Sequence, residues 1–292
     1  MLLRLTRPNE QPTASAPARS LLRRVWRHKS GRIGLILSIL LVLLAAIGYV
    51  WTPYDPDLPN FALAMKPPSG THLLGTDEMG RDVFSRIFNA AHRSIGAAFL
   101  VLACSFLIGL FVGILSGLMG GLVDTLMMRL VDIVMALPSL VLAFAILGIL
   151  GPGFKNLLVA LILSDWAWYA RLARSLAIGS GTRPDILTAK MSGISFSRIV
   201  LTHLLPGIAT KLGVMATLAF GSMIGAISGL SFLGLGVQPP HAEWGAMLSQ
   251  SRLYFDIAPW LLLSPAIAIL LSVLSANLIG HALRDVTEVK KQ

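Results

Sequence analysis

The sequence predicts an all-α, polytopic membrane protein, and three observations carry that reading. The 292-residue chain is 55% apolar and only 13% charged, with a mean hydropathy of +0.74, too poor in polar residues to cover a water-soluble surface. Six stretches stay apolar for about 20 residues, the length that crosses a hydrocarbon layer ~30 Å thick with every backbone group bonded inside the segment. No run of short segments alternates with period two, as a membrane barrel requires.

The six expected spans are Ile33–Trp51, Ile95–Gly120, Leu126–Leu150, Leu157–Leu176, Ile208–Leu235 and Trp260–Leu283. The third and fifth are interrupted by polar or small residues. Ahead of the first, Arg4, Arg7, Arg19, Arg23, Arg24, Arg27, Lys29 and Arg32 face a single acid, Glu10, which fixes the N-terminus in the cytosol. Residues 1–31 are therefore a basic cytosolic segment, 32–283 the six-helix transmembrane domain and 284–292 a cytosolic tail. Pro, Ser, Thr and Ala mixed with Arg give residues 1 to about 20 no apolar face, so they are expected to be disordered. A net charge of +10, concentrated beside a span, speaks for topology and anionic lipid, not for nucleic acid. The start does not look like a cleaved signal peptide: the apolar stretch is too long and the basic lead extended.

Threading from that end puts loops 52–94 and 236–259 outside and loop 177–207 inside. The inner region from Arg171 to Lys211 is basic, with Asp185 its one acid. The first outer loop contains "GTDEMGRD", where Gly75 and Gly80 suit a tight turn leading into an amphipathic helix, Asp82 to His92, at the membrane surface. That segment either braces the outer mouth or meets a delivery protein. In "GVQPPHAEW", two prolines stiffen a loop and Trp244 is placed for the membrane interface. Gly109, Gly113, Gly117 and Gly121, four apart, form a ladder for close helix approach. Cys104, the only cysteine, is read as a small buried hydrophobe.

The inner loop contains "DILTAKMSGISFSRIVLTHLLP", Asp185 to Pro206. Asp185 to Ser192 suits a short helix, Gly193 a turn, and Phe196 to Leu205 a second helix ended by Pro206 before the next span. Ile186, Ala189 and Gly193 make one face apolar or small while Arg183, Lys190 and Arg198 stay wet. Such a helix either docks into a groove on another protein or is an ordinary connection.

Ala189, three residues, Gly193, then Leu205-Pro206 resembles the cytoplasmic "EAA" coupling loop of ATP-binding-cassette importer permeases. Leu187, Thr188 and His203 depart from the pattern where the family has Glu, Ala and Ile. "LLGTDEMGRDVFSRI" (Leu73–Ile87), "LSFLGLGVQPPHAEWGAML" (Leu230–Leu248) and "ALRDV" (Ala282–Val286) are similar to signatures of the dipeptide, oligopeptide and nickel permease subfamily, in its second-subunit branch. The likeness runs from about Arg23 to the tail. It implies a permease subunit in the bacterial inner membrane. Its partners would be a second homologous permease, two cytosolic ATPases that bring ATP and Mg, an extracytoplasmic solute-binding protein and membrane lipid. The resemblance implies an ATPase-coupling loop at Ile186, Ala189, Lys190, Gly193, Leu205 and Pro206. "DWAWYARLARSL" leans toward the nickel branch.

Asp165 falls near the middle of the fourth span, where a charge is costly unless it faces a cavity, a partner or its neutral form. It either lines the path for substrate, with Tyr169, or bonds to Tyr169 one turn on or to another helix. Asp132 is expected to pair with Arg129, three residues earlier. The sequence contains no phosphate-cradling G-x-x-x-x-G-K-[ST] loop and no close histidine spacing, so no catalytic residue, bound cofactor or firm metal ligand is expected of this chain. The competing class is an ion-gradient-driven transporter or channel, which calls for paired deep acids or an inverted repeat.

Overall fold

A computed structural model describes residues 18–181 and 183–288, the side chains at 18–21, 190, 196 and 288 excepted. The described residues contain helices, joined by turns and loops, with an isolated bridge between Thr76 and Asp82. The helices are α1 (Ala18–Arg27), α2 (Lys29–Val50), α3 (Val83–Met119), α4 (Gly121–Met135), α5 (Ser139–Leu150), α6 (Phe154–Gly181), α7 (Pro184–Met191), α8 (Phe196–Ile199), α9 (Leu205–Phe232), α10 (Trp244–Ser251) and α11 (Trp260–Glu288). The expectation of a disordered start falls mainly on residues outside this range; from Ala18 the chain is helical.

Among the described residues four helical runs are long and apolar enough to cross a membrane: α2, α3, Ser197–Phe232 and Trp260–Thr287. The expected third span is two helices, α4 and α5, bent by 85° where Pro138 follows Leu137. Proline lacks an N–H and disfavours helical geometry in the residue before it, so the ladder stops there. The fourth expected span lies in the 28-residue α6, which contains Asp165, Arg171 and Arg174.

The amphipathic surface helix expected over Asp82–His92 is not a separate element. It is the N-terminal end of α3, a 37-residue helix whose length of about 55 Å exceeds the hydrocarbon thickness. The apolar face of that end is covered by Trp244, Met247, Ala258 and Leu261, so it had no need of a lipid surface.

The glycine ladder works as expected at three of its four rungs. A Cβ added at Gly109, Gly113 or Gly117 would overlap α6 at Tyr169, Ala170–Ala173 or Arg174–Ala177. Gly121 instead has φ +55 and opens α4, with no neighbour against it. Cys104 is half-buried and free.

Candidate functional site

Three regions collect polar side chains in this largely apolar chain. The first is the segment around α7 and α8. α7 begins with Asp185 in its first turn, paired with Arg183 at 2.8 Å, a placement that also suits the helix dipole. Gly193 has φ +73 and the Ile194 N–H donates to the Ala189 carbonyl at 3.2 Å, the six-residue closure of a glycine-terminated helix. The turn read from the sequence at Gly193 is therefore present.

The direction of the helix face differs from expectation. Ile186 and Ala189 are buried in the chain's own core with Ile199, Leu204 and Ile208, and so are not free to enter another protein. The apolar residues that face outward are Leu187 and Met191, 47% and 89% exposed and one helical turn apart. The side chain of Lys190 lies outside the described residues. Pro206 does not end a second short helix either. α8 continues through a π-helical turn, Val200–Leu204, into α9, where Pro206 is in the first turn. The Leu205 N–H donates to the Val200 carbonyl, and this wider turn takes up the prolyl ring and its missing donor without a break.

α4 is pinned to α6. Arg174 donates Nε and Nη2 to the two carboxylate oxygens of Asp124, at 2.5 and 2.6 Å, and Ser116 Oγ donates to the same carboxylate. Asp132 pairs with Arg171 of α6 at 2.5 Å, not with Arg129. The sequence showed the charges but not the bend that turns α4 toward α6.

The second region is a cavity of about 200 Å³ between α5, α6 and α9, lined by Ser139, Ser164, Asp165, Ser222, Met223 and Ala226 among others. Ser164 Oγ donates to the Ala160 carbonyl at 2.7 Å. Among the described residues the Asp165 carboxylate has no hydrogen-bond or ion-pair partner, so of the two readings the bond to Tyr169 or to another helix is not made. Tyr169 is buried, set edge-on to Phe106 and Trp168 and packed against Gly109; it backs the wall and does not line the cavity. Among the described residues no cluster of three His, Cys, Asp or Glu could hold a metal ion.

The two quoted motifs of 52–94 and 236–259 meet at the N-terminal end of α3. Asp82 caps α3, accepting from the Ser85 N–H and Oγ, both at 2.7 Å, with His72 Nδ1 at 2.9 Å. Arg81 is buried against Asp77 (2.7 Å) and Glu78 (3.1 Å). Arg86 Nη1 donates to the carbonyls of Pro56 (2.7 Å) and Pro240 (3.3 Å). Glu243, fully buried, accepts from Ser94 Oγ and the amides of Gly245 and Ala246, each at 3.0 Å. Trp244 is not at a membrane interface: it is fully buried, its Nε1 donating to the Ile87 carbonyl at 3.1 Å. This network braces that end of α3. Periodicity alone could not reveal it, since its partners lie about 150 residues apart.

Comparison with known proteins follows the same outline. Residues 109–289 match the family described as binding-protein-dependent transport system inner membrane component, and residues 17–68 match the N-terminal TM domain of oligopeptide transport permease C. The nickel transport system permease protein NikC of Escherichia coli K12 is 41% identical over 256 residues, 88% of this chain and 92% of its own. The dipeptide transport system permease protein DppC of Alkalihalophilus pseudofirmus is 37% identical over 283 residues, 97% and 93% of the two chains. The di/tripeptide transport system permease protein DppC of Pseudomonas aeruginosa is 38% identical over 293 aligned positions, 97% and 96%.

Proposed function

The chain belongs to the family of binding-protein-dependent transport system inner membrane components and is a permease subunit of an ATP-driven importer; on that premise we propose how it is threaded, what it carries and how it is driven. The chain crosses the membrane six times, the bent α4–α5 pair and α6 serving as third and fourth crossings, with both termini in the cytosol. It pairs with a second homologous permease, takes cargo from an extracytoplasmic solute-binding protein and forms half of the pathway. Two cytosolic subunits bind ATP and Mg and hydrolyse the nucleotide, this chain having no catalytic residues of its own. Relatives named for nickel, dipeptide and di/tripeptide transport support a small peptide or nickel as cargo.

The observation that carries the coupling is the seating of α7. Ile186 and Ala189 fasten it to the core of its own chain while Leu187 and Met191 face outward. A helix seated in this way passes a push from a partner into α6 and α9, the helices on either side of it, by rigid displacement. Gly193, Leu205 and Pro206 set its end and its join to α9.

Met191→Glu and Leu187→Arg test this. Each places a charge at an exposed apolar contact, so insertion and folding should hold while the co-purified ATPase subunits fall to a small fraction. Ile186→Glu should instead reduce the amount of folded chain, because a carboxylate is then buried without a partner. Unchanged ATPase recovery with either outer variant, or uptake that persists without ATP, would sink the proposal.

A further inference from the structure

We infer that the cavity between α5, α6 and α9 recognises a primary ammonium group, such as the amino terminus of a peptide, with Asp165 as its counter-charge. The inference rests on the importer reading above and names the chemical class of the cargo.

Asp165 is in the eleventh turn-forming position after the start of α6 at Phe154, about 16 Å along the helix. A carboxylate at that depth persists where it has a partner or serves a cavity. The other acids that face α6 are committed, Asp124 to Arg174 and Asp132 to Arg171. Asp165 is not: it lines the cavity with no hydrogen bond or ion pair among the described residues. The hydroxyls of Ser139 on α5 and Ser222 on α9 line the same space and make no hydrogen bond there either, whereas that of Ser164 is taken by Ala160.

The donor set chooses between cations. One carboxylate with serine hydroxyls is a poor match for a borderline metal such as Ni²⁺, which favours imidazole and thiolate, and the cavity lining includes neither. A primary ammonium has three N–H donors and no acceptor. Asp165, Ser139 and Ser222 offer it one acceptor group from each of three helices. Met223 and Ala226 supply an apolar wall for the carbon next to the nitrogen. The site therefore favours a peptide amine over the nickel suggested by the segment around Asp165.

The test uses the assembled importer in proteoliposomes. In a Cys104→Ser, Ser222→Cys background, labelling by cationic methanethiosulfonate-ethylammonium is compared with labelling by the anionic ethylsulfonate reagent. The cationic reagent should react about tenfold or more faster, and Asp165→Asn should bring the ratio close to one. In the Ser222 protein, Asp165→Asn should lower uptake of labelled dialanine by about tenfold with the ATPase subunits still bound, and Asp165→Glu should restore part of it. No cation preference with Asp165 in place, or full dialanine uptake by Asp165→Asn, would overturn the inference. So would loss of ⁶³Ni²⁺ uptake with dialanine uptake intact, which assigns the carboxylate to a metal. The labelling needs no transport, so its result stands apart from a failure of the importer reading, which shows as no ATP-dependent uptake by the unsubstituted protein.

Discussion

Gly193 is the residue at which the segment around α7 and α8 is most exposed to a single change. Its φ of +73 is a left-handed conformation that costs a residue with a Cβ about 1–2 kcal/mol, yet an added Cβ would meet nothing within 4 Å. The penalty is thus strain without collision, and Gly193→Ala should bring nearly all of it. Gly193→Leu should add little more. Both variants are expected to insert normally and to show less transport per ATP hydrolysed, measured in proteoliposomes; a normal ratio in both would mean that the end of α7 does not transmit force.

Among the elements, the α3–α6 pair is held by surfaces that cannot yield. At Gly113 a Cβ would overlap the Ala170 carbonyl oxygen and the Ala173 methyl, both fixed to the backbone of α6. Gly113→Leu must therefore push the helices apart, at a cost of at least 1–3 kcal/mol, roughly the range for overpacked cores, and the separation would also strain the Asp124–Arg174 pair. Unfolding in detergent should occur at a clearly lower temperature than for the unsubstituted protein. At Gly121, where space is open and φ is +55, Gly121→Ala should cost only the strain. Equal effects at both positions would contradict the assigned packing.

Over the whole molecule, polar networks tie both ends of a largely apolar bundle. The one at the start of α3 joins segments about 150 residues apart through Ser94 and Glu243. Glu243→Ala would leave the Ser94 hydroxyl and two α10 amides buried without an acceptor, each worth about 1–3 kcal/mol. The variant should be cleaved by added protease within 236–259 and lose uptake, while Glu243→Gln keeps an acceptor and most of the stability. Resistance of Glu243→Ala to cleavage would show that the brace is redundant.

The amino-acid order by itself determined the all-helical membrane class, the positions of the apolar runs, the glycine ladder and the turn at Gly193. Each follows from local causes: side-chain hydropathy along some 20 residues, helical spacing, and the freedom of glycine. The three-dimensional packing alone decided that α3 runs as one helix from Val83, that Pro138 bends the chain between α4 and α5 while Pro206 is absorbed by a π turn, and that Asp132 chooses Arg171. It also turned Ile186 inward, Met191 outward and Trp244 into the core. These outcomes depend on which surfaces distant segments bring to one another, and burial of a charge or an apolar face is settled only when its neighbour across the fold is in place.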